Sequence, residues 1–214
     1  MIHEKAIMFD LDGTITNTLS LSISGSRNVL KNVAKINMSD EDIKSKFGKT
    51  EDALFKYYCA DNWAKCVRAY ADFFEKHAGP DILFGGMLDV LKYLKSKKVR
   101  MSVITGRGPL SAEVILRRTE IIDYFDYVKT GSELGSIKAE CMTYVLGKWK
   151  QDPQKTFYIG DVVQDILDAK KAGLTALSAA WSEHTDKKNI EHEKPFMLFN
   201  KVSDFFDFAR AEFK

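Results

Sequence analysis

Two hydrophobic rhythms alternate along the chain. Short apolar runs end abruptly at polar or glycine residues: Ala6-Ile7-Met8-Phe9 before Asp10, Val99 to Ile104 before Thr105, Tyr127-Val128, Thr156 to Ile159 before Gly160, and Thr175 to Leu177. Runs of this length bounded by turn signals read as buried strands. Between them apolar residues recur at helical spacing, as in Met87, Val90, Leu91 and Leu94, in Met142, Val145 and Leu146, and in Ile166, Ala169 and Ala172. Strands alternating with helices predict a parallel α/β sheet sandwiched by helices. From about Leu19 to Gly79 only the helical rhythm is present, and residues 16–84 are read as a helical insertion directly after the first strand. Residues 1–15 and 85–214 then form the α/β core. Within the insertion, Ser39 with Asp42 three residues later marks a helix start. Tyr57 through His77 is a helical stretch whose aromatics serve packing.

Composition narrows the classes. The chain has 214 residues, enough for one domain or a domain with an insert. Its 32 basic and 30 acidic side chains leave a net charge of +2, which gives no ground for a nucleic-acid or membrane-surface partner. No apolar run reaches the ~18 residues of a membrane span. The opening Met1-Ile2-His3-Glu4-Lys5 lacks the pattern of a signal peptide. Cys59, Cys66 and Cys141 form no C-x-x-C and no even framework, consistent with free thiols, so a cytoplasmic protein is expected. The four histidines, His3, His77, His184 and His192, have no metal spacing and read as surface or packing residues.

The candidate chemistry lies at strand ends. In Asp10-Leu11-Asp12-Gly13-Thr14 two carboxylates at i and i+2 point to one side at the mouth of the first strand. A divalent cation is the common way to offset their repulsion. Gly160-Asp161 ends a later strand, with Asp165 opening the next helix. Thr105-Gly106-Arg107 ends another strand with a hydroxyl and backbone N–H groups, and Lys138 lies between the third and fourth strands. Acids, a hydroxyl and an ammonium gathered at strand ends make a site for a phosphate and Mg²⁺. Gly48-Lys49-Thr50 is not a P-loop, because Ile43 stands where the pattern needs glycine. It is read as a turn between helices, with Lys46 and Lys49 as candidates to face the substrate. Arg107 is a candidate substrate contact.

On these motifs the whole chain resembles the haloacid dehalogenase-like (HAD) hydrolases, which act through an aspartate nucleophile. Asp10-Leu11-Asp12-Gly13-Thr14 matches the first motif, Thr105 the second, Lys138 the third, and Gly160-Asp161 with Asp165 the fourth. The helical insertion is similar to the small cap of the phosphoglycolate phosphatase and β-phosphoglucomutase branch, as is the tail from Ala180 to Phe206. Departures from that branch are Asn17, where an acid is frequent, and Ala139, where proline follows the lysine; Lys129 is the alternative third-motif lysine. The resemblance implies a Rossmann-like core and a Mg²⁺-dependent phosphatase of a small phosphorylated metabolite. Mg²⁺ would be held by Asp10, the carbonyl of Asp12, and Asp161. Asp165 would support either the metal or the lysine. Asp10 would be the nucleophile and Asp12 the proton donor and acceptor. Thr105, Gly106 and Lys138 would hold the phosphoryl oxygens. A phosphomutase of the β-phosphoglucomutase type and a non-catalytic binding protein are the alternatives. The protein is expected to be a monomer or weak homodimer.

Overall fold

A computed structural model describes residues 4–214. Residues 1–3, on which part of the leader reading and the reading of His3 fall, lie outside the described residues. The first strand, β1 (Ala6–Phe9), is completely buried and central. It is followed by α1 (Leu19–Val29), α2 (Asp40–Lys44), α3 (Glu51–Cys59), α4 (Trp63–His77) and α5 (Met87–Ser96) before β2 (Arg100–Ile104) is reached. Thereafter strands and helices alternate: α6 (Pro109–Arg118), β3 (Tyr127–Lys129), α7 (Lys138–Trp149), β4 (Thr156–Gly160), α8 (Val163–Lys171), β5 (Thr175–Ala179), α9 (Lys187–His192), β6 (Met197–Phe199) and α10 (Val202–Glu212).

The six strands form one parallel sheet in the order β3-β2-β1-β4-β5-β6. Ala6 pairs with Arg100 on one side and Thr156 on the other. Successive strand residues face opposite sides, so β1 supplies two cores. Ile7 and Phe9 pack with Met101, Val103, Phe157 and Ile159 beneath α5 and α10. Ala6 and Met8 pack with Tyr158 against Met142 and Val145 of α7 and Ile166 of α8. Cover on both faces explains why the central strands are unbroken apolar runs rather than alternating ones. The chain leaves β1 toward β2 and β3, then returns to lay β4 on β1's other flank. A crevice therefore opens at the carboxyl ends of β1 and β4, where α/β sheets place their ligands.

The chain between β1 and α5 is helical, as its periodicity predicts. Ser39 caps α2, accepting the Asp42 N–H at 3.1 Å. The stretch from Tyr57 to His77 is two helices rather than one, because a 3₁₀ turn at Ala60–Asn62 separates α3 from α4. Their aromatics pack as expected: Phe55, Tyr70 and Phe74 make edge-on pairs with centroids 5.6 and 5.1 Å apart. The two crossings into this segment lie side by side. Thr16 bridges Leu83 antiparallel, with Asn17 N–H donating to the Ile82 carbonyl (2.8 Å) and Phe84 N–H to that of Ile15 (3.1 Å). β6, absent from the sequence reading, is a three-residue edge strand; its Met197 is exposed and only Phe199 is buried. No helix among the described residues is long and apolar enough to cross a membrane.

Candidate active site

Parallel pairing runs one residue beyond β1. Asp10 N–H donates to the Ile159 carbonyl at 2.9 Å, which seats Asp10 beside the end of β4. The chain then turns at Gly13, which has φ +78°. A Cβ there would sit 2.1 Å from the Asp161 carboxylate, so only glycine lets this turn pass. Thr14 is buried and its hydroxyl lies 3.4 Å from the same carboxylate. Carboxylate oxygens of Asp10, Asp161 and Asp165 all fall within 4.8 Å of one another.

Lys138, the first residue of α7, brings its ammonium into this group. It donates to Asp165 Oδ1 at 2.5 Å and lies 3.0 Å from Asp10 Oδ1. Burial works against its charge, but Asp10 and Asp165 outweigh that and hold its pKa above the usual lysine value. Both oxygens of the fully buried Asp165 are in use. Oδ1 also takes the Tyr158 hydroxyl at 3.0 Å, and Oδ2 accepts the Val162 N–H at 3.2 Å. Lys129, the alternative, lies elsewhere: its ammonium sits over the Tyr144 ring, 3.7 Å from the centroid.

Two buried carboxylates, Asp10 and Asp165, and the half-buried Asp161 thus gather around one ammonium. Burial raises the Asp10 carboxyl; Lys138 pulls it down, Asp165 and Asp12 push it up, and it titrates at about 7. Burial likewise drives Asp161 well above the carboxylate range, with Asp10 and Asp165 adding to it. Hard oxygen donors with surplus negative charge suit a hard divalent cation.

Asp12 has a different set of partners. Arg107 holds it from Nε at 2.9 and 2.8 Å and from Nη2 at 2.7 Å, and the Thr18 hydroxyl donates to it. Arg107, a candidate substrate contact in the sequence, lines the cavity and also meets an acid. A guanidinium that is 8% exposed requires a compensating carboxylate, and Asp12 supplies it. Arg107 also reaches the helical segment, donating to Ser22 (2.5 Å) and Tyr70 (3.4 Å) and lying 4.6 Å from the Phe74 ring centre. Burial lowers the stability of its charge, yet Asp12 above all keeps its pKa raised.

The loops after β2 and β3 close one side of the site. Arg107 N–H donates to Thr105 Oγ1 at 3.2 Å, and Gly131 N–H to the Arg107 carbonyl at 2.7 Å. A Cβ on Gly131 would lie 2.2 Å from the Gly106 carbonyl oxygen. All these residues line one cavity of about 420 Å³. Asp10, Asp12, Thr105, Gly106, Arg107, Lys138 and Asp161 are on its core side, and Lys46 and Lys49 on its helical side. Asp165 stands behind Lys138. Sequence reasoning missed Lys44, Ser182 and His184 on the same walls. It also missed Glu51, which accepts the Gly108 N–H at 2.8 Å and the Ser111 hydroxyl. Glu51 directly follows the Gly48-Lys49-Thr50 turn, which was the available signal.

Comparison with known proteins agrees with this geometry. The sequence profile of the haloacid dehalogenase-like hydrolase family matches residues 7–179. The chain is 26% identical over 213 residues to the pyrophosphatase PpaX of Bacillus pumilus, covering 97% of each. A predicted phosphoglycolate phosphatase from Haemophilus somnus superposes with a TM-score of 0.76 at 21% identity, over 97% of this chain and 99% of that one. CbbY from Rhodobacter sphaeroides, solved in complex with phosphate, gives 0.76 at 18% identity over 96% of each. With its motif acids converging at one sheet end, the chain belongs to the haloacid dehalogenase-like hydrolase family.

Proposed function

We propose that the protein is a Mg²⁺-dependent phosphatase of a small phosphorylated metabolite, working through an aspartyl-phosphate on Asp10. The observation that carries this is the excess of buried carboxylate over ammonium at the end of β1 and β4. Asp10, Asp161 and the Asp12 carbonyl would hold the cation, which when bound neutralises charge on the phosphoryl oxygens. Asp165 is left out of that set, because both its oxygens already serve Lys138, Tyr158 and the Val162 N–H. It is a positioning residue that aims the ammonium at Asp10.

Asp10 attacks phosphorus in line with the leaving oxygen. Asp12 protonates the departing alkoxide and then takes a proton from the water that cleaves the acyl phosphate, since the two half-reactions need opposite transfers. Thr105, the Gly106 N–H and Lys138 hold the phosphoryl oxygens. Arg107 steers Asp12 through its fork of hydrogen bonds and ties it to Ser22 and Tyr70. Residues 16–84 act as a cap whose closure excludes water, with Lys46 and Lys49 at the substrate.

Phosphate release from an aryl phosphate tests this reading. Turnover should require Mg²⁺, stop in excess chelator, and disappear in Asp10→Asn, while Asp12→Asn should lose about 10²–10⁴-fold. Near-native turnover by Asp10→Asn would sink the mechanism.

A further inference from the structure

One wall of the cavity is unlike the rest. Thr18, just before α1, and Ser22 and Ser26 within it are spaced four apart, so they form one stripe along one helix face. All three line the cavity and all are buried. Thr18 and Ser22 are committed, to Asp12 and Arg107 respectively. Ser26, at 1% exposure, has no hydrogen-bond partner for its hydroxyl. Thr50, on the turn before α3 and 3% exposed, has none either, and it lines the same cavity. Buried polar side chains nearly always find a partner, and one left unpaired is costly. Two such hydroxyls, on residues that line one ligand cavity, are accounted for by a ligand that supplies the missing bonds.

We infer that these hydroxyls receive the leaving group, and that it is a neutral polyol of sugar size. Three considerations lead there. A serine or threonine hydroxyl both donates and accepts, matching an alcohol, whereas an anion needs donors backed by positive charge. The cation at this wall, Arg107, is already neutralised by Asp12. Lys44, Lys46 and Lys49, which also line the cavity, are exposed to solvent, and their ammonium groups can donate to an alcohol oxygen. Distance is the third consideration. Thr18 touches Asp12, and Ser26 lies eight residues further, about 12 Å along the helix at about 1.5 Å per residue. A two-carbon acid or a second phosphate is too short to bridge that span, while a pentose or hexose with hydrogen bonds at its far end can.

This inference rests on the phosphatase reading, so the experiment separates the two. Rates of phosphate release with Mg²⁺ are measured for a hexose 6-phosphate, a pentose 5-phosphate, phosphoglycolate, pyrophosphate and an aryl phosphate. The enzymes are the parent, Ser26→Ala and Thr50→Val, with Ser26→Thr and Thr50→Ser retaining the hydroxyl. The parent should prefer a sugar phosphate to phosphoglycolate and pyrophosphate. Each hydroxyl deletion should lower kcat/KM for that sugar phosphate about tenfold. The aryl phosphate should stay within about twofold, and the hydroxyl-retaining variants should recover most of the loss. Thermal melts identify any variant that does not fold, in which case the parent's ranking of the sugar phosphates against phosphoglycolate and pyrophosphate decides. A preference for pyrophosphate or phosphoglycolate overturns the inference, as does an equal loss on sugar and aryl phosphates or no loss at all. Those results leave the phosphatase reading standing provided Asp10→Asn abolishes aryl phosphate turnover. Absence of turnover on every ester overturns both.

Discussion

Replacing Lys138 by methionine keeps most of the side-chain volume and removes the ammonium that stands among buried carboxylates. In the parent that ammonium is 2.5 Å from Asp165 and 3.0 Å from Asp10, and only 11% of its side chain is exposed. Breaking a buried pair from one side costs about 3–5 kcal/mol, because the remaining charge is left without compensation. Two acids lose their partner here, but the site opens onto a cavity through which water can enter, so the lower end of that range applies. For a chain of this size about 1 kcal/mol moves the melting temperature by about 2–4 °C. The expected fall in chelator is therefore roughly 6–12 °C. Added Mg²⁺ should recover part of it, since a cation between Asp10 and Asp161 relieves the same repulsion. Lys129→Met provides the comparison. Its ammonium loses a contact with the Tyr144 ring, worth about 0.5–1 kcal/mol, and so only a few degrees. The assay is thermal unfolding followed by circular dichroism, with and without Mg²⁺, alongside phosphate release. A Lys138→Met melt within 2 °C of the parent in chelator would refute the electrostatic reasoning, and a larger fall for Lys129→Met would reverse the assignment of the two lysines.

Other expectations follow from the same site. Because Asp10 titrates at about 7 and Asp161 is also raised, the folded protein binds protons that the unfolded chain has released. Without metal, stability from this site should be full below about pH 4 and lost as pH rises through 7; the melting shift produced by Mg²⁺ should be larger at pH 8 than at pH 5, and the opposite trend would contradict it. Gly131→Ala forces a Cβ against the Gly106 carbonyl 2.2 Å away, so the loops after β2 and β3 must part; kcat should fall for every substrate while the circular dichroism spectrum is kept. Arg107→Met should lower kcat more than it raises KM, because Asp12 loses its fork, with Arg107→Lys recovering little since an ammonium cannot reproduce the bidentate geometry. Unchanged kcat in Arg107→Met would show that Asp12 is oriented without it.

Strand ends were readable because apolar runs that stop at an acid or a glycine carry both the fold and the chemistry in a few adjacent residues. Asp10, Asp12 and Asp161 could be brought together on paper once the sheet was parallel. What local spacing could not reveal is pairing across long separations. Arg107 and Asp12 are 95 residues apart, and nothing around Arg107 distinguishes a guanidinium that binds ligand from one that binds an acid. Asp165 is ambiguous in the sequence for the same reason, since Lys138, which meets its Oδ1, lies 27 residues away. β6 escaped because it follows Pro195 and Phe196 and is a half-exposed edge of three residues, too short for either periodicity. The break between α3 and α4 escaped because aromatics on both sides keep one apparent rhythm across Asp61 and Asn62.

The antiparallel contact of Thr16 with Leu83 carries an implication for how such a chain can be remodelled. The two segments that leave and rejoin the core are already stapled to each other by backbone hydrogen bonds at 2.8 and 3.1 Å. Whatever lies between them hangs from a closed neck, and closing a longer loop costs only logarithmically more. The backbone pairing of the sheet therefore does not depend on the length of residues 17–82. Joining Thr16 to Leu83 through a two-residue turn would convert the neck into an ordinary hairpin. A different folded unit could equally be spliced into that gap without disturbing the register of β1. The neck leaves the register of β1 to the sheet alone, while the bonds from Arg107 and Gly108 to Ser22, Tyr70 and Glu51 couple the reactive floor to what overhangs it, so an exchanged unit would have to bring its own partners for them.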